Sequence, residues 1–207
     1  YSAGFNLTTI KNKVLSLVQE GYSIIAGDKS QSYTMAGYPI GYFYGYKVEG
    51  VYQTDEEIAR SPKNTLATVT PGDLKFKDVN GDGVITDDDQ VPLFAYSGVP
   101  QFMYGFGAEV RYKNWTLNVL FKGTGNNYFL YGGKDGSKFD GYIPFNQGYK
   151  GNVLTLAYDP ANRWTSAEYS GNKATENPHA RFPRLSYGNN ANNTKPSTFW
   201  KGNARYL

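Results

Sequence analysis

Twelve consecutive residues hold most of the chemistry this chain offers: Asp78-Val79-Asn80-Gly81-Asp82-Gly83-Val84-Ile85-Thr86-Asp87-Asp88-Asp89. Hard oxygen donors fall at the first, third and fifth positions as Asp78, Asn80 and Asp82, the spacing of an EF-hand-type calcium loop. Gly83 at the sixth position permits the sharp reversal, and the Val84 carbonyl serves at the seventh. Thr86 at the ninth acts directly or through water, and Asp89 closes the loop at the twelfth. Ile85, apolar at the eighth, suits an anchor to a neighbouring strand. Five aspartates this close repel one another unless a cation sits among them. The expected cofactor is therefore Ca2+, held by Asp78, Asn80, Asp82, Val84, Thr86 and Asp89. Two departures shape that expectation. The twelfth residue is Asp rather than Glu, and the flanks Leu74–Lys77 and Gln90–Leu93 are not helical. The ion is then static and structural, with no opening switch; a metal-free Asp/Asn/Gly turn is the alternative.

Catalytic chemistry lacks its parts. There is no Cys, and His179 is the single histidine, in the loop sequence Asn177-Pro178-His179. Triads and histidine-bound metal hydrolase sites are excluded on that inventory. Asp55-Glu56-Glu57 reads as a solvated turn or a short helical start. A glycosidase pair drawn from Asp135, Asp140, Asp159 and Glu168 has no spacing that sets two of them at working distance. Neither a P-loop nor a dinucleotide fingerprint is present. No catalytic residue is assigned, the chain is read as a non-enzyme, and no substrate-binding residue is identified.

The elements that must carry the loop are strands. The 207 residues include 19 Tyr, 12 Phe and 3 Trp against 24 Gly and only 19% charged residues, a balance that favours strands over helices. No apolar run approaches the ~20 residues of a membrane helix, whereas a membrane β-barrel remains compatible. The net charge of +3 divides into ten basic and thirteen acidic groups over residues 1–121 and eleven and five over residues 122–207. Those basic residues are scattered without a stripe, which argues against nucleic acid. Beginning at Tyr1 and ending at Tyr206-Leu207, the chain is expected to be a piece of something longer.

Period-two alternation is clearest from Phe102. Phe102, Tyr104, Phe106, Ala108, Val110 and Tyr112 share one face, with Met103, Gly105, Gly107, Glu109 and Arg111 opposite. After a tight turn at Lys113-Asn114 the apolar phase resumes with Trp115, Leu117, Val119 and Phe121, Leu120 being an exception. Tyr1, Ala3, Phe5 and Leu7 alternate likewise, as do Tyr38, Ile40, Tyr42, Tyr44, Tyr46 and Val48. The fold class expected is all-β: a partial antiparallel transmembrane barrel wall with strands near residues 1–10, 38–52, 102–112 and 115–123. The tracts 54–101 and 123–205 are read as long extracellular loops, the first carrying the calcium loop. Asn189-Asn190-Ala191-Asn192-Asn193 reads as a solvated turn. Four strands fall short of the eight or so that close the smallest membrane barrel. A soluble β-sandwich also alternates, so a calcium-dependent β-sandwich module binding carbohydrate or protein is the competing class.

Several blocks resemble the SusC/RagA type of TonB-dependent outer-membrane transporter. Gly37–Lys47 (GYPIGYFYGYK) with Gly50–Gln53 (GVYQ) is similar to that family's YPIGSFYGYKTDGIFQ stretch, and Pro71–Gly83 (PGDLKFKDVNGDG) to its PGDIKFKDVNGDG element. Pro100–Phe106 and Tyr112–Trp115 look like the hairpin that follows. Arg163–Thr165, Glu176–Pro178, Pro183–Tyr187 and Pro196–Trp200 look like the long loop beyond it, with Ser166–Thr175 as an added stretch. The blocks keep the family's order through most of residues 37–207; no TonB box or plug domain accompanies them. The resemblance implies a late segment of a barrel of about 22 strands. It also implies location in the cell outer membrane, import of oligosaccharides or peptides, a SusD-like surface lipoprotein as partner, and coupling to the TonB complex. Loops bearing Trp164 and Trp200 are expected to stack on sugar rings or pack against the lid protein.

Overall fold

The computed structural model describes residues 1–18, 24–26, 32–93, 98–130, 134–135, 138–139, 155–186 and 190–203. Its secondary structure is mostly strand with a few short helical turns. Among the described residues no helix is long and apolar enough to cross a membrane, which says nothing about crossing by strands.

Three of the four alternating segments form one antiparallel sheet. Strands Phe102–Tyr112 and Trp115–Gly125 make a hairpin, and Ser2–Thr9 pairs with the outer side of the first. Lys113 occupies the turn with φ 51°, the left-handed conformation that a two-residue hairpin connection requires. The register sets Phe5 opposite Phe106 and Phe106 opposite Phe121, with Leu7, Tyr104 and Gly123 in the next row. Ala3, Ala108 and Val119 form the row on the other side. The apolar faces of these three segments thus merge into one surface. That surface is open: Phe5 is 67% exposed, Trp115 80% and Leu117 63%. A soluble sandwich buries this face against a second sheet. Here the rings remain bare.

Residues outside that sheet pack a core of their own, the head. Tyr46, Leu74, Phe76, Ile85, Trp164, Phe182 and Trp200 are buried together, drawn from segments more than a hundred residues apart. Two short strands, Val48–Val51 and Leu74–Phe76, pair antiparallel with an irregularity between Val48 and Gly50. The tracts 54–101 and 123–205 therefore supply packed core as well as connection.

The strand expected near residues 38–52 is corrected to two short ones, Tyr42–Gly45 and Val48–Val51. Tyr42, Phe43 and Tyr46 are buried rather than turned to lipid. Consecutive Tyr42 and Phe43 are both covered, since this strand is enclosed on its two faces. Gly45 is needed there because a Cβ would run into the carbonyl of Pro196, to which the Tyr46 N–H donates at 2.9 Å. The acidic run becomes the helix Asp55–Arg60, capped by Thr54, whose Oγ1 accepts from the Glu57 N–H at 3.1 Å.

Candidate functional site

The twelve-residue loop leaves the strand Leu74–Phe76 and returns to the body at Val84–Ile85, which pairs in parallel with Lys63–Asn64. Ile85 is fully buried in the head, so the apolar eighth position does anchor the loop to a strand. Gly81 and Gly83 adopt φ 76° and 84°, where side chains are disfavoured.

Each donor of the first half closes a turn onto the backbone. Asp78 accepts from the N–H groups of Gly81 (2.6 Å) and Gly83 (2.9 Å), Asn80 from Asp82 (3.0 Å), and Asp82 from Val84 (2.9 Å). Asn80 and Asp82 are exposed, Asp78, Val84 and Thr86 half-buried, and Asp89 buried. Asp89 receives the Val79 N–H at 2.7 Å on one oxygen and the Thr86 N–H at 2.8 Å on the other, locking a one-turn helix over Asp87–Asp89. The donors are of the hard-oxygen kind Ca2+ takes, and each oxygen keeps a second lone pair. They are not gathered round one point: among the described residues no three Asp, Glu, His or Cys side chains converge as a metal cluster.

The loop is wired to the core. The buried Tyr46 hydroxyl donates to Asp87 Oδ1 at 2.6 Å, and Gln90 Nε2 reaches the same oxygen at 3.0 Å. The Tyr46 contact holds the Asp87 carboxyl below its ordinary value, outweighing the opposing effect of partial burial. Burial drives the Tyr46 hydroxyl far up, so it stays a donor.

A second polar centre lies behind the loop, and the sequence conceals it. Asp73 is fully buried and accepts from Arg184 Nε (2.8 Å) and Nη2 (3.1 Å), Asn190 Nδ2 (2.9 Å), Asn193 Nδ2 (2.9 Å) and the Thr70 N–H (2.9 Å). A buried charge is tolerable when it is this fully answered. Asn192 and Asn193, far from being a solvated turn, are 0% and 1% exposed. Asn193 Oδ1 accepts the Leu74 N–H at 2.9 Å, and Asn192 Nδ2 donates to the Leu74 carbonyl at 2.9 Å. Two side-chain amides thus satisfy that peptide as a neighbouring strand would. Asn189 of the same run lies outside the described residues.

Trp164 and Trp200 are also corrected. They are 5% and 3% exposed, and their indole N–H groups are spent on Gln53 Oε1 (3.1 Å) and the Asn193 carbonyl (2.7 Å). Neither indole N–H is left for a ligand. His179 is exposed, as expected.

No family model matches the chain. It is 29% identical over 196 residues, 93% of its length, to TonB-dependent receptor P26 of Formosa agariphila. It is 33% identical over 132 residues, 59% of its length, to TonB-dependent receptor P3 of the same bacterium. The chain spans only 17% and 12% of those proteins. Along almost its whole length, then, it is similar to a segment of TonB-dependent receptors, and this similarity supports that family for it.

Proposed function

We propose that these residues are a segment of a TonB-dependent outer-membrane transporter of the SusC/RagA type. The three-stranded sheet is part of the barrel wall, and the head stands on the extracellular side. One observation carries the proposal: a single continuous apolar face, from Phe5 through Phe106 to Phe121, lies open on three paired strands, two of them of membrane-spanning length. Eleven residues at about 3.4 Å each, tilted by about 40°, climb roughly 28 Å, close to the ~25 Å apolar band of outer-membrane barrels. The opposite face, with Asn6, Gly105, Glu109, Asn118 and Lys122, suits a wet lumen. On this reading the transporter imports oligosaccharides or peptides beneath a SusD-like lipoprotein, and the TonB complex energises it through another part of the receptor. The chain itself performs no catalysis.

The loop Asp78–Asp89 takes Ca2+ on this reading, using Asp78, Asn80, Asp82, the Val84 carbonyl, Thr86 and Asp89. The ion would offset two of the loop's five negative charges and draw its two halves together. The donor chemistry and the Asx turns support this; the spread of the carboxylates means side chains must close on the ion.

The wall assignment is tested by a pair of neighbours. Val119 lies near mid-strand on the apolar face and Asn118 on the other. In the intact receptor, Val119→Arg should cost about 2–4 kcal/mol at the bilayer midplane and reduce assembled receptor in the outer membrane. Asn118→Arg should assemble normally. Equal tolerance of both substitutions overturns the wall assignment.

A further inference from the structure

A cleft of about 330 Å³ is lined by the segment Arg163–Ser166 together with Tyr169, Arg184 and Leu185. Arg163 lines it and is 8% exposed. Its Nε donates to the Tyr158 carbonyl at 3.3 Å and its Nη1 to Thr165 Oγ1 at 2.8 Å. Both partners are neutral. Among the described residues no carboxylate lies within ion-pair distance of this guanidinium, and Nη2 has no hydrogen bond. Arg184, at the other wall, is neutralised by Asp73. Asp159 acts on the Arg163 guanidinium through its field but forms no ion pair with it, so the positive charge in the cleft is only partly offset. A buried cation without a direct ion-pair partner is costly, and a charge-assisted hydrogen bond to an anion relieves that cost.

The rest of the lining defines what the anion is attached to. Ser166 and Thr165 bring hydroxyls, and Tyr169 stands at the rim with 78% of its surface exposed. An exposed aromatic ring beside hydroxyls suits the C–H face and hydroxyl edge of a sugar. Tyr169 is held there by the turn Ala167–Ser170, which Ser166 caps and Gly171 ends at φ 69°. We infer that this cleft binds an acidic saccharide, with the sugar carboxylate on Arg163 and the ring against Tyr169. The inference rests on the transporter reading in that the head must face the medium; the binding itself does not depend on transport.

The test is calorimetric titration of the detergent-purified receptor with trigalacturonate, neutral galactotriose and a tri-aspartate peptide. Trigalacturonate should bind at least tenfold more tightly than galactotriose, the value of one hydrogen bond to a charged group. Arg163→Lys, which keeps the charge but loses the fork, should weaken it by roughly tenfold. Tyr169→Ala, at an exposed site that leaves folding intact, should weaken it by about 2- to 10-fold. Any of four results overturns the site: no trigalacturonate binding, equal binding of the neutral sugar, a preference for tri-aspartate, or undiminished binding in both variants. Failure here leaves the contrast between Val119→Arg and Asn118→Arg untouched, so the two readings fall separately.

Discussion

Asn193→Ala removes the side chain that joins the two most buried polar features of the head. The Leu74 N–H loses its acceptor and stays buried without a partner, a cost of about 1–3 kcal/mol. Asp73 loses one charge-assisted donor of about 1.5–3 kcal/mol, though Arg184, Asn190 and Thr70 remain. Together these lower the local opening free energy around Leu74–Phe76 by about 3–5 kcal/mol. At about 1.4 kcal/mol per factor of ten, amide exchange there should speed up roughly 150- to 4,000-fold. Hydrogen-exchange mass spectrometry on the intact receptor reads this peptide by peptide, with Phe102–Gly125 as an internal reference. Acceleration below threefold at Leu74–Phe76, or an equal acceleration in the hairpin, refutes the proposed role of the amide. Asn193→Asp keeps an acceptor for Leu74 but sets a second carboxylate against Asp73, so it should loosen the same peptides.

Gly72→Ala forces a side chain into a φ of 92° and into the Trp164 ring, costing at least ~1–2 kcal/mol, and a red shift in tryptophan emission checks it. If the loop takes calcium, chelation or Asp82→Ala should quicken exchange across residues 78–90 and, through Asp87, at Tyr46. Unchanged exchange counts against a bound ion. The Tyr46–Asp87 contact depresses the Asp87 carboxyl, so its stabilisation is whole above the ordinary value of 3.8 and fades as pH falls through the lowered one. Acid titration of exchange at residues 84–90 measures that loss. Burial pushes Tyr42 up to about 12, so its contribution is intact below pH 10 and disappears as pH rises through about 12, visible as delayed tyrosinate absorbance.

The hairpin was legible because period two with a single polar interruption has few other solutions, and the residue pairs at 102–112 and 115–125 follow directly. The same alternation misled at Tyr38–Val48. Rings enclosed by protein and rings meeting lipid share one sequence signature, and only tertiary contact separates them. The turns of Asp78–Val84 are readable because they are local, each hydrogen bond spanning two to five residues. Asn192 and Asn193 were unreadable for the opposite reason: their partners Asp73 and Leu74 lie 118 to 120 residues away. No local signal separates such an amide from a solvated one. Arg163 likewise shows its lack of an ion-pair partner only once its surroundings are folded.

That separation has a consequence for how the head is made. During synthesis the Leu74 peptide emerges more than a hundred residues ahead of the amides that satisfy it. The short ribbon Val48–Val51 with Leu74–Phe76 must therefore wait half-finished until the distal asparagines arrive. High contact order of this kind slows closure and leaves a strand edge open to mispairing in the meantime. A receptor truncated before Asn190 would expose that edge permanently, and should be recovered mainly as an aggregate or a proteolysed product.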